Sequence, residues 1–134
     1  MRLSPVPTAI SRRNESQTRG PSAGCRPEER RVAARSVIKG EASYYHDSLA
    51  GNSTASGEPY KPSRLSAAHR ELPFGTRLRV ARTDLPNSPV LCVTVNDRGP
   101  FAGRGRILDL SRAAAEHLQM IRAGVVPVRV EVLR

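Results

Sequence analysis

The sequence predicts an all-β fold, a small closed barrel. Three observations point to it. Short runs alternate with period two or are apolar throughout, turn formers separate them, and one segment alone has clear helical character. The chain has 134 residues, enough for one domain, and about 95 of them follow a polar N-terminal stretch. A barrel of that size can fold alone.

Composition changes near residue 38. Residues 1–37 are rich in Arg, Ser, Pro, Glu and Gly, with scattered apolar residues. Such a segment offers too little apolar surface to offset chain entropy. A disordered basic tail over 1–37 and a folded domain over 38–134 are therefore expected.

"GEASYYH" (40–46) reads as the first strand, and "NSTASGEPYKPS" (52–63) as turns. "LSAAHREL" (65–72) is expected to form a single helical turn that Pro73 ends. "TRLRVAR" (76–82) alternates as a half-buried strand does, and "PNSP" (86–89) is a turn. "VLCVTV" (90–95) is apolar throughout, the pattern of a central strand covered on both faces. "DLSRAAAEHLQM" (109–120) is the helix, capped by Asp109 or Ser111, with Leu110, Ala114, His117 and Leu118 on one face. "VVPVRVEVL" (125–133) sets four valines against Pro127, Arg129 and Glu131, a final strand with its apolar side inward. Pro127 makes it an edge strand or stands at its start.

Two cysteines are present, Cys25 in the tail and Cys92 in an apolar run. A disulfide between them is one option. The preferred reading makes Cys92 a small buried hydrophobe.

The net charge is +10, but nine basic and three acidic residues in 1–39 leave only +4 for 40–134. A basic excess favours polyanionic partners. Because most of it belongs to the tail, and aromatic stacking faces are few, a nucleic-acid partner is not expected. No apolar run is long enough to cross a membrane as a helix. "MRLSPVPTAISRR" has the basic start of a secretory signal without its apolar centre. "SAGC" (22–25) resembles a lipoprotein processing site only by coincidence, with Ser22 where a large aliphatic residue belongs.

Candidate chemistry centres on "TVNDRGPFAGRGRILDLS" (94–111), where an apolar strand runs out at Asn96–Asp97 before a Gly–Pro break. A carboxyl at a barrel mouth beside apolar walls keeps its proton nearer neutral pH and can pass it to a leaving oxygen. Asp109 follows the glycine loop as a second acid. Glu58 comes after a Ser–Gly turn, and His69 lies among small apolar residues. Taken singly, each has a plain structural reading as a turn, cap or packing residue. Together they match the acid/base sets that act on sugars. Neither paired C-x-x-C nor H-E-x-x-H is present, so no metal or other cofactor is expected.

"ASYY", "TASGE", "LSAAHRELPFGT", "VNDRGPF", "GRILDLSRAAA" and "VRVEVL" stand in the order found in the rare lipoprotein A family, and the resemblance covers roughly residues 40–133. It implies a six-stranded double-psi β-barrel with one or two short helices. It also implies lytic transglycosylase activity on peptidoglycan glycan strands, especially strands stripped of peptide. By resemblance, Asp97 is the general acid/base, while Glu58 and His69 stabilise charge and orient groups. Tyr44, Arg98 and Phe101 become groove residues. Asp109 falls in a block resembling the acidic motif of expansins and is a further substrate-binding candidate. A monomer in the cell envelope, periplasmic or extracellular, is expected, with a non-catalytic expansin-like glycan binder as the alternative.

Overall fold

The computed structural model describes residues 22–134. Among the described residues seven strands are present: β1 (Ser22–Ala23), β2 (Ser36–Tyr44), β3 (Ser66–Ala68), β4 (Arg77–Arg82), β5 (Val90–Asp97), β6 (Arg106–Leu110) and β7 (Val126–Val132). The order β5-β3-β6-β2-β7-β4 closes on itself through β4–β5 pairing, giving a six-stranded double-psi β-barrel. Pairs β2–β6 and β3–β5 are parallel, and the other contacts around the ring are antiparallel. Closure removes the open edges that would invite association.

The patterning explains the core. Leu78, Val80, Leu91, Val93, Val95, Leu108, Leu110, Val126, Val128 and Val130 are buried inside the ring. Truncating a fully buried leucine such as Leu108 to alanine should cost ~2–5 kcal/mol. Along β7 the valines alternate with exposed Pro127 and Arg129, as the period-two reading requires. Strand β7 pairs on both sides, so Pro127 belongs to a strand start and not to an edge.

Other expectations are corrected. Residues 22–37 are ordered against the barrel, while 1–21 lie outside the described residues. Strand β1 pairs with β5 at Val90 and Leu91, the part of that edge that β3 leaves open. A 3-10 turn follows (Pro27–Glu29) and delivers Glu29 to a fully buried position. There its carboxylate accepts from Arg77 Nε at 2.9 Å and Nη2 at 2.7 Å. The Arg79 guanidinium donates to the backbone carbonyls of Glu29 (2.6 Å) and Val32 (3.0 Å). The outer arginines of β4 are thus covered by residues 24–32, and this charge complementarity holds a segment that composition alone leaves unfolded.

The same docking overturns the preferred reading of the cysteines. Cys25 and Cys92 form a disulfide with Cα atoms 4.7 Å apart, although 67 positions separate them. Parallel pairing of residues 22–23 with β5 carries Cys25 alongside. Gly24 makes the approach feasible: its φ is +72°, and a Cβ there would meet the Cys92 carbonyl oxygen at 2.5 Å.

Residues 65–72 supply strand β3, not a helical turn. Its three small residues are wedged between β5 and β6, and pairing on both edges overrides local preference. The helix, α1 (Arg112–His117), is shorter than expected. Ser111 caps it by accepting from the Ala114 N–H, and Asp109 lies in β6 instead. Among the described residues no helix is long and apolar enough to cross a membrane.

Candidate functional site

Strand β3 places the two acids. Ala68 pairs with Asp97 on one side and with Asp109 on the other. Two strand spacings therefore separate their backbones, roughly 10 Å. Ala68 stands between them in the register, so the two acids project on the same side of the sheet as its methyl group.

Asp97 is half-buried, and donors from three segments meet it. Its Oδ1 accepts from the Ala55 N–H at 2.7 Å and the Arg98 N–H at 2.9 Å. Its Oδ2 accepts from the Tyr45 hydroxyl. Where the sequence suggested apolar walls, the structure provides directed donors. Tyr45 is held in turn by stacking on Tyr60, with ring centroids 4.4 Å apart. Burial first, then the bond to Asp97 and the charges of Asp97 and Asp109, push the Tyr45 pKa far up. Tyr45 therefore remains a donor throughout the physiological range.

Asp109 accepts from the Ser43 hydroxyl on the adjoining strand β2. Ser43 and Tyr45 lie two residues apart and so project on one side of the strand direction. Tyr44 projects on the other. Its hydroxyl donates to the Ile121 carbonyl at 2.7 Å, and the ring packs against the core. The tyrosine of the tandem pair that reaches the acids is Tyr45, which sequence reading passed over. The alternation Ala42, Tyr44 against Ser43, Tyr45 was the available signal.

His69 joins Asp97 through the backbone: its N–H donates to the Asp97 carbonyl at 3.2 Å. Nδ1 accepts from the N–H groups of Glu71 and Leu72, both at 3.1 Å. That arrangement places the ring proton on Nε2. Burial is the main cause that lowers the His69 pKa. Arg98 and Arg70 add to it, and Glu71 opposes. The imidazole is neutral at pH 7.

Glu58 is exposed, carried by a turn in which Gly57 takes φ +96°. The turn docks on the end of β5: Ser56 N–H donates to the Asn96 carbonyl at 3.2 Å, and Asn96 Nδ2 donates to Glu58 Oε1 at 3.2 Å. Glu58 thus approaches the acid through Asn96, not by direct contact. It borders a cleft of about 310 Å³ shared with Lys61, Arg64, Ser66, Thr94 and Asn96. Asp97 and His69 do not line that cleft.

On the other flank, Arg98 Nη1 donates to the Leu72 carbonyl at 2.8 Å, and its guanidinium lies 4.1 Å from the centroid of the Phe74 ring. Phe74 and Phe101 are exposed, the latter at 77%. Phe74 was not among the sequence candidates. Its position between Pro73 and Gly75 on an otherwise polar loop was the signal. The arrangement gathers a fixed carboxyl group, a neutral imidazole and a second acid about β3, with Glu58 beyond Asn96 and the exposed Phe74 ring against Arg98. Such a set suits proton transfer to and from a sugar.

Residues 37–130 match a double-psi β-barrel family described as lytic transglycolase. The chain is 50% identical over 109 residues to the probable endolytic peptidoglycan transglycosylase RlpA of a Nostoc species, covering 80% of this chain and 29% of that protein. To the endolytic peptidoglycan transglycosylase RlpA of Campylobacter jejuni it is 45% identical over 102 residues, covering 76% and 36%. It spans about a third of the length of these two curated relatives. Among solved structures, a Streptomyces papain inhibitor superposes with a TM-score of 0.58 at 24% identity, covering 78% of this chain and all of that one. An expansin of Clavibacter michiganensis gives 0.57 at 25% identity, over 74% and 51%. The family match takes in all or most of every strand of the closed barrel and both acids flanking Ala68, and the chain belongs to the lytic transglycolase family of double-psi β-barrels.

Proposed function

We propose that this chain is an endolytic peptidoglycan lytic transglycosylase. It cleaves the bond between N-acetylmuramic acid and N-acetylglucosamine, foremost in peptide-stripped strands, and leaves a 1,6-anhydromuramoyl end. The observation that supports this most directly is the Asp97 carboxyl group, fixed at the barrel mouth by Tyr45, Ala55 and Arg98. The names of the curated relatives support the same reading.

Asp97 in its acid form delivers a proton to the glycosidic oxygen. The C1–O bond breaks, and its electron pair leaves with the N-acetylglucosamine oxygen. Glu58, held by Asn96, lends negative charge to the oxocarbenium-like sugar. Asp97, now a carboxylate, takes the proton of the muramoyl 6-hydroxyl as that oxygen closes on C1. The proton lent in the first step is regained in the second, and no water is consumed. General acid/base assistance of this kind is worth about 100- to 10,000-fold in rate. His69 Nε2–H orients a substrate hydroxyl, and Phe74, Arg98 and Phe101 hold sugar faces.

The Cys25–Cys92 disulfide supports a site of action in the cell envelope, since such bonds persist in oxidising compartments. The likeness to expansin favours one other reading, a glycan binder without turnover. Incubating the protein with peptide-stripped sacculi separates the two. New 1,6-anhydromuramoyl ends by mass spectrometry are expected, and retained binding without them would establish the binder.

A further inference from the structure

The cleft beside Glu58 holds two cations that the catalytic reading leaves without a role. Lys61 and Arg64 are the ends of one β-turn, closed by Arg64 N–H donating to the Lys61 carbonyl at 3.0 Å, with Pro62 at the position such turns favour. The turn is pinned to the start of α1. Ala113 N–H donates to the Pro62 carbonyl at 2.9 Å, and the Ser111 hydroxyl donates to the Arg64 carbonyl at 2.5 Å. Both side chains are exposed and line the cleft with Asn96, Thr94 and Ser66. Neither has an ion-pair partner among the described residues. Arg77, Arg79, Arg82 and Arg112, by contrast, are each paired with a carboxylate, while the guanidinium groups of Arg70 and Arg98 donate to backbone carbonyls.

We infer that Lys61 and Arg64 form a carboxylate subsite that reads the free lactyl group of a muramoyl residue whose peptide has been removed. The inference rests on the proposed function and deepens it. Stripping the stem turns a neutral lactyl amide into a carboxylate, so each muramoyl unit gains one negative charge beside its ring. A turn bearing two unpaired cations, held rigid on both sides of Pro62, is preorganised for that charge. Glu58, which also lines the cleft, repels the carboxylate and so favours its seat on the two cations. Asn96 couples the subsite to Asp97, its neighbour in β5, so engagement of the lactyl group registers the strand over the acid.

The test compares stripped glycan strands with the same strands after carbodiimide coupling to methylamine, which returns the lactyl groups to neutral amides. Binding is followed by titration calorimetry at two salt concentrations. Two exposed ion pairs should give wild type about a tenfold preference for the carboxylate strand, reduced by salt. In Lys61→Gln/Arg64→Gln the preference should fall to about one, and Lys61→Arg should retain it. Equal wild-type affinity for the two strands, no measurable binding of either, or a preference that survives in the double variant overturns the inference. A melting temperature for each variant confirms that it is folded, and the salt dependence of wild type reads the subsite without any substitution. Anhydro-end formation is measured alongside. Cleavage that ignores amidation sinks the subsite and spares the reaction. Carboxylate-selective binding without cleavage sinks the reaction and spares the subsite.

Discussion

The Tyr45 hydroxyl donates to Asp97 Oδ2, while the Tyr45 ring stacks on buried Tyr60. The bond joins the end of β2 to the end of β5, 52 positions away in the chain. It leaves the acid little freedom to turn. Tyr45→Phe keeps the stack and removes the donor. Hydrogen bonds to charged groups contribute ~1.5–3 kcal/mol, so turnover should fall by about 10- to 100-fold if the bond acts in the transition state. Steady-state kinetics on stripped strands checks this, with thermal melting as the control. An unchanged rate would make Tyr45 a packing residue alone.

Acid should loosen the N-terminal segment. The Arg77 guanidinium beside buried Glu29 holds its pKa down to about 2, from an ordinary 4.5. A depressed carboxylate contributes stability in full above its unfolded value and loses it as pH falls through the folded one. The contribution here is of order 3 kcal/mol at neutral pH, waning between about pH 4.5 and 2. Urea unfolding at a series of pH values should show that decline in wild type. In Glu29→Gln the decline should be smaller, from a stability already ~3–5 kcal/mol lower because Arg77 loses its partner. A variant with the acid sensitivity of wild type would contradict the assignment.

Reduction of the disulfide should lower stability as well. Closing a loop between cysteines 67 positions apart restricts the unfolded chain by about 4 kcal/mol. Differential scanning calorimetry with and without reductant, and of Cys25→Ser/Cys92→Ser, reads the effect. A melting temperature indifferent to both would show that residues 22–25 contribute nothing to the barrel.

His69 should titrate late on the way down. Folding keeps its imidazole neutral, so its contribution is complete above the ordinary value of 6.5 and declines as pH falls through the lower folded value. Protonating Nδ1 also breaks both bonds from the 71–72 backbone. A two-dimensional NMR titration of the imidazole should give a midpoint below 6.5, and one at or above 6.5 would contradict the burial described.

Much of the barrel was legible because its strands follow simple rules. β4, β5 and β7 announce themselves by alternation or by continuous apolar character, and all three are observed. β3 and β6 were not legible. Ser66–Ala68 carries no strand propensity and is made a strand by its two neighbours, while Arg106–Leu110 was divided between a glycine loop and the helix. The ordering of residues 22–35 depends on Glu29 finding Arg77 and on Cys25 finding Cys92, long-range pairings invisible to composition. In the site, Asp97, His69 and Asp109 do gather about β3. Glu58 stands one residue removed, beyond Asn96. Tyr45 escaped notice because two adjacent tyrosines look alike until the strand's inward side is known.

The central claim is that Asp97 moves the proton, and Asp97→Asn tests it most directly. The amide can preserve the local bonds, with Oδ1 accepting from Ala55 and Arg98 and Nδ2 donating to the Tyr45 oxygen, so the melting temperature should stay within about 2 °C. Mass spectrometry of peptide-stripped sacculi should then find 1,6-anhydromuramoyl products with wild type and none above background with the variant. Wild-type product levels from a folded Asp97→Asn protein would contradict the account.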